Sequence, residues 1–375
     1  MTTPTPAATI RRMSVVVDAH EDIAWNALAF GRDVTRSAAV TRQTEQGTHT
    51  PHRNGSTLLG LDDYLSGGVA VIFATLFAAP FHRRVGDWDT LAYKNRVEAH
   101  KLYSSQLDYY HRLADRCRQF TLISCRGDLD AVLASWQPDA DPAARRVGLV
   151  PLMEGADGIR EPEEAEMWME RGVRIIGLTW GATRYGGGTA EPGPLTDDGR
   201  RLLDVMSGLN LTLDLSHASE ETFFEAVDRF EGAVIVSHAN PRALLSPEPR
   251  HPERHLSDDM IRRLAERGGV VGLVPLNRFI KSGWRPADGR HTVTLEHVAA
   301  MIDYVCQLTG SADHVGIGSD FDGTFGREST PAEIDTVADL ALVGDVLKRR
   351  GYTESQVAGV LADNWLRVLR RGLPA

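Results

Sequence analysis

The sequence predicts an α/β chain folded as a single (β/α)8 barrel of TIM type with insertions, and three observations lead there. Apolar runs of strand composition alternate with amphipathic segments of helical period along the chain. Eight main runs can be counted, the number that closes a barrel. Five of them end in His, Asp or Glu, at what would be the rim where barrels of this kind carry their chemistry. The 375 residues hold a barrel of about 250 plus insertions. With no linker or repeat to divide the chain, the expected organisation is a flexible tail over 1–13 and one barrel domain over 14–372.

The first strand is the run Val15-Val16-Val17-Asp18-Ala19, β-branched at its start and abruptly polar at His20-Glu21-Asp22. His20 and Asp22, two positions apart on an extended chain, share one side. A polar stretch over 31–60 follows, with Arg36, Arg42, His49, His52 and Arg53 among Thr, Ser and Gln. A loop this long reads either as a lid or as a solvated insertion with a short helix. The second strand, 69–77, is almost continuously apolar, as in a parallel sheet covered on both faces. From 91 to 119, Leu91, Val97, Leu102, Leu107, Tyr110 and Leu113 recur at helical spacing with charges between them, which predicts one long amphipathic helix. The run at 120–124 reads as an accessory strand, followed by a helix near 128–136 and a turn at Pro138 to Pro142. Further strands are expected at 147–153, 174–179, 211–215, 233–236, 270–274 and 315–317. Helices at 163–171, 197–209, 220–230, 257–267 and 295–309 lie between them, and helices at 334–349 and 354–369 close the ring.

Composition narrows the function. Acidic residues outnumber basic ones by 51 to 41, and the net charge of -10 repels phosphate and argues against a nucleic-acid partner. No apolar run approaches the ~20 residues of a membrane helix. The first twelve residues are small and polar, unlike a signal peptide, so a cytoplasmic location is expected. Cys117, Cys125 and Cys306 lie far apart without C-x-x-C spacing and read as reduced thiols rather than zinc ligands.

The strand ends carry the chemistry. The first ends in His20 and Asp22, the third in Glu154-Gly155, the fifth in Ser216-His217, the sixth in Ser237-His238 and the eighth in Asp320. Three imidazoles and three carboxylates buried together without a cation would be costly, and a metal supplies the missing charge. His20, Asp22, Glu154, His217 and His238 are too many ligands for one tetrahedral ion and a natural number for two, with Glu154 between them.

Six motifs occur in a fixed order: H-x-D-x-x-W (His20, Asp22, Trp25), M-E-G (Glu154), D-L-S-H-x-S (Asp214 to Ser219), S-H-A-N (Ser237 to Asn240), R-H-L-S-D-D (Arg254 to Asp259) and G-I-G-S-D-F-D-G (Gly316 to Gly323). Together they resemble the membrane (renal) dipeptidases, peptidase family M19, over roughly residues 15–369. The resemblance implies a binuclear zinc (β/α)8 hydrolase with two Zn2+. His20 and Asp22 would hold one ion, His217 and His238 the other, and Glu154 both. It further implies Asp320 as acid/base and Arg254 as the grip on a substrate carboxylate. The expected reaction is hydrolysis of dipeptides, including those with a D-residue at the C-terminal position, by a hydroxide bridging the metals. The expected partner is a dipeptide-like small molecule, and a homodimer is left open.

Two departures from the family pattern bear on activity. Trp180 stands where many members have a histidine near the scissile bond, so polarisation would fall to the second zinc, Arg184 or Tyr185. Ala156-Asp157 replaces the histidine that often follows Glu-Gly. An amidohydrolase acting on N-acyl amino acids or lactams therefore stays open, as does, more remotely, an inactive ligand-binding barrel. Other patterns are weaker. Gly316-Ile317-Gly318 is half a dinucleotide fingerprint without the helix that should follow. His251 and His255 have the spacing of a metal pair but are interrupted by Pro252 and lack a Glu between them. Ser216-His217 and Ser237-His238 make no serine triad, since neighbours on a strand face opposite sides. Arg250 rivals Arg254, while Asp18 and Asp214, each just before a ligand, are candidates to brace the ligands.

Overall fold

The computed structural model describes residues 15–246, 249 and 251–375, so the tail expected at 1–13 and the rival Arg250 lie outside the described residues. Eight parallel strands make the barrel: β1 (Val16–Glu21), β2 (Val69–Leu76), β3 (Val147–Met153), β4 (Ile175–Gly177), β5 (Thr212–Asp214), β6 (Val234–Ile235), β7 (Val271–Leu273) and β8 (Val315–Ile317). Their order is β7-β8-β1-β2-β3-β4-β5-β6, and a parallel bridge between Val236 and Val271 joins the two ends. Gly272 N donates to Val236 O at 2.8 Å across that seam. The run at 120–124 supplies an accessory strand, Phe120–Leu122, beside the first half of β3; β4 pairs only with its second half.

β2 and β3 are buried at every position, as their near-continuous apolarity requires, and β1 is buried throughout with Asp18, His20 and Glu21 among its residues. Alternate residues nevertheless join different packing layers. Val17, Ala19, Val71, Phe73, Val150 and Leu152 pack with Trp136 and Trp365, while Val16, Ile72, Leu149 and Met153 pack with Tyr103, Leu107 and Tyr110 of the helix Arg96–Arg116. The G-I-G of β8 serves this packing: a Cβ on Gly318, or on Gly272 beside it, would sit 1.8 Å from Ser237 O.

Three expectations change. The helix foreseen at 91–119 starts only at Arg96, because the Asn95 side chain caps it by accepting from Val97 N and Glu98 N; Ala92–Tyr93 pairs instead with Ala79–Pro80. The helix foreseen at 354–369 is interrupted by a π-turn over Gly359–Asp363, after which Trp365 Nε1 donates to Ile317 O at 3.0 Å and ties the last helix to β8. The stretch 31–60 is an insertion carrying two short helices where a single one was expected. It forms helices Ala38–Thr44 and Thr50–Asn54, and buried Arg32 pairs with Glu45 at 2.8 Å and with Asp322 at 3.0 Å. Leu58 N also donates to Asp322, at 2.9 Å, so one carboxylate following β8 holds the insertion on the rim. The three cysteines are free and half-buried. Among the described residues, no helix is long and apolar enough to cross a membrane.

Candidate active site

The structure brings all five predicted ligands and Asp320 to the C-terminal rim. His20 lies within β1, with Asp22 just after it, and Glu154 directly follows β3, whose ladder it extends by donating from N to Leu76 O at 3.0 Å. His217, His238 and Asp320 each lie three residues beyond the end of β5, β6 and β8, where the chain has left the ladder. His217 and Asp320 take φ of 65° and 59°, a left-handed backbone that side chains other than glycine seldom adopt, and such positions cluster at functional sites.

Glu154 is the hub. Its Oε1 lies 3.0 Å from His217 Nε2 and 3.4 Å from His238 Nε2, and its Oε2 lies 3.5 Å from His20 Nε2. The His217 and His238 Nε2 atoms are 3.0 Å apart. Donor atoms of His20, Glu154 and His238 fall within 4.8 Å of one another, as do those of His20, Asp22 and Asp320. Asp320 thus stands as near to His20 and Asp22 as a ligand would.

Burial sets the charge state of this cluster. It pushes Glu154 up to about 8 against the pull of Arg254, and pushes Asp22 and Asp320 up to about 7 against the pull of His20. Burial also drives His217 and His238 well below the usual histidine range, with the positive charges of Arg254 and His20 adding to it. His217 and His238 are therefore neutral and offer lone pairs. His20 Nε2 is buried with no hydrogen-bond partner, 3.5 Å from Glu154 Oε2. Nitrogen and oxygen donors converging without a thiolate fit zinc or another first-row divalent ion.

The supporting hydrogen bonds fix which nitrogen faces inward. Ser237 Oγ donates to Asp214 Oδ2 at 2.5 Å, so towards His238 Nδ1, 2.9 Å away, it can only accept. That places the His238 proton on Nδ1 and frees Nε2 for the site. Asp214 Oδ1 accepts in addition from Ser216 N, Ser216 Oγ and Ser237 N. The serines beside the two histidines are thus braces rather than nucleophiles. Thr189 Oγ1 lies 3.0 Å from His217 Nδ1, and Thr75 Oγ1 donates to Asp22 Oδ1 at 2.6 Å. Asp18 accepts from Ser319 N and Oγ, which locks the residue before Asp320. Both candidate braces therefore act through serine rather than on an imidazole directly.

A cavity of about 630 Å³ opens above this floor, with Trp25, Phe77, Trp180, Arg254, Arg278 and Phe279 among its lining residues. Arg254 is buried; its Nη1 donates to His238 O at 2.7 Å and its Nη2 lies 3.7 Å from Asp320 Oδ2. Trp180 packs 5.2 Å from the Phe77 ring and 6.1 Å from the His217 ring, presenting an apolar face where a histidine would have offered a donor. Neither Arg184 nor Tyr185 makes this good. Arg184 pairs with Asp198 at 2.5 Å, Tyr185 donates to Ile159 O at 2.6 Å, and neither lines the cavity. His251 and His255 do line it, yet join no metal-holding group among the described residues. Sequence reasoning missed Thr75, Thr189, Arg278 and Phe279. Thr75 hides inside an apolar strand, and the others sit in segments without a periodic pattern.

Comparison with known proteins gives a consistent result. The family model for membrane dipeptidase (peptidase family M19) matches residues 5–372. A Klebsiella pneumoniae protein, described only as an uncharacterized protein in the pqqA 5' region, is 31% identical over 294 residues, covering 76% of this chain and 94% of that one. Dipeptidase verJ of Clonostachys rogersoniana is 30% identical over 233 residues, 60% of this chain and 56% of its own length. Among solved structures, a Rhodobacter sphaeroides metallopeptidase liganded with a phosphinate mimic of the dipeptide L-Ala-D-Ala superposes with a TM-score of 0.76 at 22% identity, covering 96% of this chain and 99% of that one. The dipeptidase AC of family M19 superposes at 0.75 with 23% identity, covering 97% and 100%. The motif order, the barrel and the family match converge: this chain belongs to the membrane dipeptidases, peptidase family M19, and is a hydrolase of that metallopeptidase family.

Proposed function

We propose that this chain is a zinc-dependent dipeptidase that cleaves the peptide bond of dipeptides, including those with a D-residue at the C-terminal position. The observation that carries the reading is the convergence of His20, Asp22, Glu154, His217 and His238 at the base of one cavity, which Asp22, Glu154 and His217 line, with Glu154 within 3.5 Å of all three imidazoles. In this reading His20 and Asp22 hold one Zn2+, His217 and His238 hold a second, and Glu154 holds both. When bound, such a pair supplies hydroxide at neutral pH by lowering the pKa of water and polarises the scissile carbonyl.

The chain's own residues do the rest. Asp320, beside His20 and Asp22, takes the proton of the attacking water on its carboxylate and returns it to the leaving amine. Arg254 offers parallel N–H donors to the free C-terminal carboxylate, which confines activity to short substrates. Trp25, Phe77 and Trp180 form an apolar wall that excludes water from the bond being cut. The Rhodobacter sphaeroides relative holds a mimic of L-Ala-D-Ala, and we carry that ligand class over to this cavity, whose volume suits a dipeptide. The reading includes a cytoplasmic location. The test is turnover of a panel of L,L- and L,D-dipeptides, N-acyl amino acids and lactams by the zinc-loaded protein. Hydrolysis of dipeptides is expected; turnover of N-acyl substrates or lactams alone would overturn the reading.

A further inference from the structure

Three guanidinium groups line the cavity: Arg83, Arg254 and Arg278. Two are already engaged with protein oxygens. Arg83 lies 2.9 Å from Glu191 Oε1, and Arg254 donates to His238 O and stands 3.7 Å from Asp320. Arg278, on the short helix Asn277–Ile280 that follows β7, is different. Among the described residues its guanidinium makes no hydrogen bond and has no carboxylate at ion-pair distance, feeling Asp320 only through space; it rests 5.3 Å from the centroid of the Phe279 ring. The Arg254 guanidinium sits 5.0 Å from the same centroid. One aromatic ring thus positions two cations towards one cavity, and stacking of this kind holds a guanidinium in place without neutralising it.

We infer that Arg278 is a specificity residue that receives a second carboxylate, so that the preferred substrate is a dipeptide whose C-terminal residue is aspartate or glutamate. With Arg254 on the α-carboxylate, the acidic side chain of the same residue has only a few bonds to span to a guanidinium that shares the Phe279 ring. The opposite charge has no comparable place here: a cationic side chain at that position would meet two arginines. The inference rests on the dipeptidase reading for the bond that is cut, but not for recognition of a dicarboxylate.

The test compares Ala-Glu with Ala-Gln and Ala-Asp with Ala-Asn, pairs alike in shape and different in charge. Zinc-loaded wild type should favour the acidic member by about tenfold in kcat/KM, expressed mainly in KM. Arg278→Gln should bring the ratio close to one, and Arg278→Lys should restore part of it. A wild-type ratio near one, or a preference unaltered in Arg278→Gln, overturns the inference. If no dipeptide is cut at all, the dipeptidase reading fails, and calorimetric binding of Ala-Glu against Ala-Gln still decides this one. A preference for Ala-Glu that Arg278→Gln abolishes supports it; equal or absent binding of the two overturns it.

Discussion

Replacing Asp214 by alanine should damage stability and metal binding together, although this residue faces no ligand directly. Its carboxylate is buried and accepts four hydrogen bonds, from the backbone N–H and the hydroxyl of both Ser216 and Ser237. The hydroxyls can turn elsewhere, since Ser216 Oγ and Ser237 Oγ already lie 3.1 Å apart. The backbone donors cannot turn, and a buried N–H left unsatisfied costs roughly 1–3 kcal/mol, so the pair costs about 4 kcal/mol. Without Asp214, Ser237 is also free to donate its proton to His238 Nδ1. That would move the imidazole proton to Nε2, the nitrogen that faces Glu154. Metal affinity should then fall about 10- to 100-fold, as for other lost supports of a metal-binding histidine. Urea unfolding of the metal-free protein and competition with a zinc chelator measure the two effects separately. Stability within about 0.5 kcal/mol of wild type together with unchanged zinc affinity would refute this reasoning.

Other predictions concern the reaction and its pH dependence. Asp320→Asn should keep metal and lose at least ~100-fold in kcat; a fully active variant removes Asp320 from proton transfer. Arg254→Ala should raise KM for dipeptides about tenfold or more while affecting C-terminally amidated substrates far less, and equal losses on both would contradict its role. In the metal-free protein, burial holds Glu154 near 8 and Asp22 and Asp320 near 7, far above unfolded carboxyls at about 4. The native state then keeps protons that the unfolded chain has lost, so these groups lower stability as pH rises towards 8. His217 and His238, whose pKa values burial depresses, work the other way only below about 6.5. The urea midpoint of chelator-treated protein should therefore be lower at pH 8 than at pH 6.5, and zinc should abolish the difference; a midpoint that rises over that interval would contradict the burial of these carboxyls.

The strands were legible because their composition leaves little choice. Runs such as 69–77 and 147–153 can be satisfied only in a sheet covered on both faces, and the polar residues that end them can only gather at one rim. Helix starts were less legible, because Asn95 decides where one begins through two hydrogen bonds that hydrophobic spacing does not encode. The stretch over 31–60 was least legible. Its fold depends on Asp322, a partner more than 260 residues away that meets Arg32 and Leu58 only once the barrel is closed. At the site, histidines and carboxylates stood out against apolar strands, while their braces did not. Ser237 and Thr189 are ordinary residues in sequence, and their importance comes from which nitrogen they address.

In the proposed site, Glu154 joins two cations held by residues from four strands. Anomalous scattering at the zinc edge from crystals of the zinc-loaded protein tests it directly. Two peaks are expected roughly 3.5–4 Å apart, one beside His20 and Asp22 and one beside His217 and His238, with Glu154 between them. A single peak, or a pair that leaves Glu154 outside, would contradict it.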